Sequence, residues 1–194
     1  MNYFLRELNR DDVPIINQWR NKAGLIERLG SVFRYIGIEV DQEWFSQYLI
    51  SRNTNIRLGI CDLENQTLIG AIYLLNIDWV SRHGELSIWI GEDVCQGKGA
   101  GRFAMTQLLR HAFQDLNLHR VWLRVLSDNE PAIHLYTKLG FIHEGRSRDA
   151  VFKNGKYVDL LHMSILDKEY MAIFAEETVS VPVGEMLLHR VHAG

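Results

Sequence analysis

Six consecutive residues, Gln96-Gly97-Lys98-Gly99-Ala100-Gly101, have the composition of an anion cradle. Glycine turns the backbone sharply and leaves no Cβ between a peptide amide and a ligand. The run stands directly before the strongest helical pattern in the chain. The first turn of a helix carries four unpartnered N–H groups at the positive end of its dipole, and with the glycines these can hold a phosphate or diphosphate. The same glycines would also serve a plain tight turn from strand to helix. Two nucleotide folds are excluded. A Walker loop needs Lys-Ser or Lys-Thr after its last glycine, and neither follows Gly101. A dinucleotide fold puts its glycine turn after the first strand of an alternating unit, whereas this one follows the fourth. Cys95 beside the turn has no His–carboxylate activation pattern, and the eight histidines show no His-Glu-x-x-His spacing. Neither a cysteine nucleophile nor a metal site is expected.

The elements that must position this turn follow from hydrophobic periodicity. A first strand covers residues 3–8, and Asp11 or Asp12 can cap a helix with Pro14 in its first turn. Residues 25–40 read as an irregular, partly apolar loop. A second helix is expected from Gln42 to about Ser51, capped by Asp41. Strands then cover 56–61, 68–76 and 85–90, the last with Leu86, Ile88 and Ile90 alternating against Glu85, Ser87 and Trp89. A long helix runs from about Gly99 to Leu116, with Ala104, Met105, Leu108, Leu109, Ala112 and Phe113 on one face. A strand at 120–125, a short helix from an Asp128 cap to Lys138, and a hairpin turning at Asn154-Gly155 complete the order. That order describes a mixed sheet with helices on its faces, an α/β or α+β architecture. Val179 to Val183 and a helix-like Gly184 to His189 read as an appended element.

The 194 residues suffice for one domain, and 47% hydrophobic with 23% charged residues is the balance of a globular chain. No window is apolar enough for a membrane span, and residues 1–10 read as a strand instead of a signal peptide. Cys61 and Cys95 are too few for a disulfide framework, so a cytoplasmic location is expected. A net charge of -3 without a basic stripe argues against nucleic acid as a partner. A homodimer is the commonest assembly for such chains.

Gln96-Gly97-Lys98-Gly99-Ala100-Gly101 resembles the Gln/Arg-x-x-Gly-x-Gly/Ala signature of the GNAT superfamily of N-acetyltransferases. Asp128-Asn129-Glu130-Pro131-Ala132 followed by Leu135-Tyr136-Thr137-Lys138-Leu139-Gly140-Phe141 is similar to the second cofactor motif of that superfamily. Leu5-Arg6, Asp11-Asp12 and the hairpin from Asn154 to Asp159 are similar to its ribosomal-protein alanine and spermidine acetyltransferase branches. Trp19-Arg20-Asn21 resembles acetyltransferases of nucleotide-linked amino sugars. The likeness spans about residues 3–168, giving an expected domain at 1–170 and an extension at 171–194.

The resemblance implies a central sheet of six to seven strands, splayed between strands four and five. It implies direct acetyl transfer from acetyl-coenzyme A, as co-substrate, to a primary amine of a polyamine-like small molecule or a peptide. Amino groups of nucleotide-linked sugars are an alternative acceptor class, and a catalytically silent coenzyme-A-binding module is an alternative of another kind. The diphosphate would lie against Gln96, Gly97, Lys98, Gly99, Ala100 and Gly101, with Lys98 or Arg102 near the phosphates. The pantetheine arm would run beside Trp89, Ile90 and Gly91 and reach Asn129. Tyr136 matches the family tyrosine that gives a proton to the departing thiolate. Glu85 matches a position where members keep a glutamate as base, with His83 as a nearby alternative. Trp19, Arg20, Glu27, Phe33, Tyr35, Trp44, Asp78, Arg146, Asp149 and Tyr157 are candidates for the acceptor pocket.

Overall fold

Alternating apolar residues in seven segments build one sheet, ordered β1-β2-β3-β4-β5-β7-β6. The computed structural model describes residues 2–178, with side chains through 174. Its strands are β1 (Tyr3–Glu7), β2 (Ile56–Asp62), β3 (Leu68–Asp78), β4 (His83–Ile90), β5 (Arg120–Leu126), β6 (Ile142–Lys153) and β7 (Lys156–Leu166). All neighbours are antiparallel except β4 and β5. The helices are α1 (Val13–Arg20), α2 (Ala23–Ile26), α3 (Ile38–Ile50), α4 (Ala100–Arg110), α5 (Glu130–Lys138) and α6 (Asp167–Thr178).

Each face of the sheet has its own core. Ile72, Leu74, Leu86, Val121, Leu123 and Ile165 pack against α4, α5 and α6. Ala71, Tyr73, Cys61 and Leu68 pack against α1, α2 and α3. The period-2 alternation of each strand assigns its residues to one core or the other. Along α4, Ala104, Met105, Leu108 and Leu109 are buried as their spacing predicts. The expected continuation to Leu116 is not α-helical throughout. His111–Asp115 widens into a π turn, and Asn117 at φ 54° closes it.

Several helix starts differ from the sequence expectation, because polar side chains found better partners than the nearest amide. Asp12 does not cap α1. It takes a bidentate pair from Arg6 at 2.7 Å and the Asn9 amide at 2.8 Å, while Asn9 caps a short 3-10 turn. Asp41 is not a cap either: α3 begins at Ile38, and Asp41 lies within it, fully buried, bound by Arg20 and by Asn17 at 2.7 Å. Asn129, not Asp128, caps α5 through the Ala132 amide. The hairpin turn is as expected, with Asn154 and Gly155 both at positive φ.

Helix α6 runs through the boundary expected at residue 170. Tyr170 is buried with its ring 5.0 Å from Phe113 and stacks on Phe174. Val179 to Val183 and Gly184 to His189 lie outside the described residues. Among the described residues no helix is long and apolar enough to cross a membrane.

Candidate active site

Strands β4 and β5 pair over only three positions, His83 with Arg120, Gly84 with Val121 and Glu85 with Trp122. Beyond Glu85 they separate, although β4 stays paired to β3 as far as Ile90 and β5 to β7 as far as Leu126. A cleft of about 1180 Å³ fills the wedge. It is lined by both diverging strands, by the glycine turn, by one side of α5 and by residues 25 and 27–31. Strand alternation shows that it passes through the sheet. Leu86, Ile88, Leu123 and Val125 face α4 and α5, whereas Tyr73, Leu75, Glu85, Ser87 and Arg124 face the α1–α3 side.

On the α4 side, Gly97 and Gly99 adopt φ 71° and 90°, where L side chains are strained. A Cβ at either would meet nothing within 4 Å, so open space lies over the turn. Gly99 caps α4 without a side chain, and the first helical bond is Phe103 N–H to Gly99 O at 2.9 Å. The amides before it, Ala100, Gly101 and Arg102, therefore have no helical partner. A Cβ on Gly101 would make ordinary contact with Leu135 of α5. Arg102 is exposed and lines the cleft, whereas Lys98 is exposed outside it and its carbonyl accepts the Tyr3 hydroxyl. Gln96 is fixed by its bond to Asp93 at 2.9 Å and by Arg28.

Gly91 has a different duty from the one expected. It does not line the cleft; the indole of Trp19 occupies the space above it. Trp89 and Ile90 do line it. Asn129 lines it too, but its side-chain amide donates to the Arg28 carbonyl at 2.9 Å. Lys153 Nζ donates to the carbonyls of Ile26 at 2.6 Å and Glu27 at 3.3 Å. These bonds tie the segment after α2 across the cleft to α5 and to the β6–β7 hairpin.

Tyr136 is buried in the cleft wall, its ring 6.0 Å from Phe141. Its hydroxyl has no hydrogen-bond partner among the described residues, and burial pushes its pKa up to about 12. It is fully protonated at neutral pH. Glu85 lies across the wedge. Its Oε1 accepts both Nη2 of Arg124 at 2.8 Å and Nε at 3.1 Å, leaving Oε2 unpartnered among the described residues. His83 does not line the cleft and lies 3.9 Å from Asp78. Cys95 is buried behind the turn with a free thiol.

Of the ten residues proposed for an acceptor pocket, only Glu27 lines the cleft. Trp19 is fully buried and donates to Glu92 at 2.8 Å, and Arg20 serves Asp41. Trp44 packs on the Arg57 guanidinium, and Arg146 pairs with Asp159. Tyr35 and Tyr157 are exposed elsewhere. Of the lining that was missed, Tyr73, Ser87, Arg124 and Leu160 come from strands, and Arg28, Leu29, Gly30 and Ser31 from the segment after α2. Arg124 alternates with Leu123 and Val125 and could have been assigned to Glu85's face. Its pairing across a gap between parallel strands could not.

A through-sheet cleft with an open glycine turn at one end, a carboxylate at the other and a phenol in its wall is the layout that an acyl-coenzyme-A-dependent transferase requires. The comparisons name the family. The family model for the acetyltransferase (GNAT) domain matches residues 2–142, and the chain belongs to that family. The spermidine N(1)-acetyltransferase of Vibrio cholerae is 32% identical over 167 residues, covering 86% of this chain and 94% of that protein. YdaF of Bacillus subtilis, which carries the name of a ribosomal N-acetyltransferase, is 34% identical over 128 residues, 66% of this chain and 67% of that one. The crystal structure of spermidine N-acetyltransferase from Vibrio cholerae in complex with CoA and spermine superposes with a TM-score of 0.81 at 31% identity, covering 87% of this chain and 98% of that one. The chain is an N-acetyltransferase that uses acetyl-coenzyme A as co-substrate.

Proposed function

We propose that this chain acetylates a primary amine of a polyamine-like small molecule or of a peptide, with Tyr136 and Glu85 on opposite sides of the reacting atoms. One observation carries the reading: the wedge between β4 and β5 connects the glycine turn on one face of the sheet to Glu85 on the other, with Tyr136 in its wall. The open cradle over Gly97 and Gly99 fits a diphosphate, and the unpaired edges of β4 and β5 fit an extended amide-bearing arm. Trp89, Ile90 and Asn129 border that arm's path.

In this reading the amine reaches the wedge from the α1–α3 side. An alkyl ammonium titrates near ~10.4, so it must lose a proton before its nitrogen can attack. Glu85 Oε2 takes that proton, directly or through water. The nitrogen forms its bond to the acetyl carbonyl carbon while the carbon–sulfur bond breaks, Tyr136 Oη gives its proton to the departing sulfur, and the second proton shed by the acylated nitrogen returns through water to the tyrosinate. A phenol at about 12 is a weak acid, and a thiol in water titrates near ~8.5. The same dry wall that raises the phenol also raises a thiol held against it, which narrows the gap. Two buried, unpaired cysteines fit a reducing, cytoplasmic setting.

The test is release of free thiol from acetyl-coenzyme A by the purified protein with spermidine, with an N-terminal peptide and with a nucleotide-linked amino sugar. Release stimulated by an amine is expected. Tight coenzyme A binding with no stimulated release by any of them would overturn the catalytic reading in favour of a silent binding module.

A further inference from the structure

The charges of the cleft are balanced. Its acidic lining residues are Glu27, Glu85 and Asp128, and its basic ones are Arg28, Arg102 and Arg124. At the acceptor end the balance is made by one contact. Glu85 lies on the last paired position of β4, and Arg124 stands two residues beyond Glu85's partner Trp122, on the same sheet face. The guanidinium bridges the wedge to Glu85 Oε1 at 2.8 and 3.1 Å and lies 5.7 Å over the Trp122 ring. The Glu85 side chain is 15% exposed and that of Arg124 47%, so the pair forms part of the cleft wall.

A second guanidinium adds to this. Arg57 pairs with Tyr73 in the β2–β3 register and is caged by Trp44, Tyr48 and Tyr73, with centroids 4.8, 5.6 and 4.8 Å away. No carboxylate among the described residues pairs with it, and the Tyr73 hydroxyl faces both Arg57 and Trp89 Nε1. The layer behind the Tyr73 wall therefore holds a positive charge compensated by rings and a phenol oxygen and by no carboxylate.

We propose that Arg124 is a specificity-determining residue: by occupying and neutralising Glu85 it selects amines that carry a single positive charge over polyamines. The inference rests on the acceptor reaching the Glu85 end of the cleft, as argued above. A singly charged amine needs only Glu85 Oε2, which Arg124 leaves open. A chain of several ammonium groups would bring its remaining charges against Arg124, and like charges set side by side discriminate between partners.

The experiment compares kcat and KM for spermidine and for a short peptide with a free N-terminus, at saturating acetyl-coenzyme A, in the wild type, Arg124→Leu and Arg124→Lys. The wild type is expected to favour the peptide by about tenfold or more in kcat/KM. Arg124→Leu is expected to raise kcat/KM for spermidine about tenfold, through KM, and to change that for the peptide far less. Arg124→Lys keeps the charge and should keep the wild-type preference. A wild type that favours spermidine, a preference unmoved by Arg124→Leu, or a lysine variant behaving like leucine overturns the proposal while acetyl transfer stands. Should Arg124→Leu fail to fold by thermal melting, the wild-type preference and the lysine variant still decide it. No stimulated thiol release with either amine in the wild type overturns the underlying reading instead.

Discussion

The indole of Trp19 lies where a side chain on residue 91 would have to be. A Cβ built on Gly91 would sit 2.7 Å from Trp19 Cε3 and closer still to Cδ2 and Cε2. Trp19 cannot yield, because it is fully buried and its Nε1–H is bonded to Glu92 at 2.8 Å. Gly91 is itself pinned to β3, its amide donating to Ile69 O at 2.9 Å. Helix α1 is thus fastened to the end of β4, where the cleft opens.

Gly91→Ala should therefore overpack this junction and cost about 1–3 kcal/mol. For a chain of this size each kcal/mol lowers Tm by about 2–4 °C. Thermal denaturation of the variant reads it directly, and an unchanged Tm would show that the junction is looser than described.

Gly99→Ala acts elsewhere. At φ 90° an alanine is strained by about 1–2 kcal/mol, and its methyl would project into the open space above the turn. Coenzyme A affinity should fall by at least tenfold, because the methyl enters the space over the turn, whereas the strain is common to the free and the bound protein. Calorimetric titration with coenzyme A checks this, and equal affinity in the two proteins would place the diphosphate elsewhere.

Tyr136→Phe removes a hydroxyl without a protein partner, so stability should barely change. Turnover should fall about 10²–10⁴-fold, the usual range for a lost acid, with coenzyme A affinity kept within about twofold. Steady-state kinetics beside a binding titration separate the two. Full turnover in the variant would leave the thiolate to take its proton from water.

Alkaline pH should weaken the fold. Burial pushes both Tyr136 and Tyr48 up to about 12, the latter aided by its bond to Glu7 at 2.6 Å, and raises Tyr73 as well. In the unfolded chain these phenols titrate near ~10. Below pH ~10 they are protonated in both states and their contribution is complete. Between pH ~10 and 12 the unfolded chain ionises first, so stability is lost as pH rises. Urea midpoints at pH 8 and 10.5, at constant ionic strength, should drop in the wild type and drop less in Tyr136→Phe. A midpoint independent of pH in this range would contradict the burial of these rings.

Much of this molecule was legible one segment at a time. The α4 stripe, the hairpin at Asn154-Gly155 and the glycine turn are written in local spacing, because 3.6-residue and 2-residue periods and positive-φ turns depend on near neighbours. The helix caps were not. Asp12 and Asp41 look like caps locally but are claimed by Arg6, Arg20 and Asn17, up to 24 positions away. A buried carboxylate takes the strongest donors that the fold brings to it.

The amino-acid order alone determined the family and singled out the glycine turn, Tyr136 and Glu85 as candidates, since these are carried by short motifs whose spacing along the chain is their meaning. The tertiary structure decided what surrounds them: that Gly91 makes room for Trp19, that Asn129 holds Arg28, and that Arg124 reaches Glu85. Each of these joins chain segments 39 to 101 positions apart, and only the packing of strands and helices into one sheet brings such segments within bonding distance.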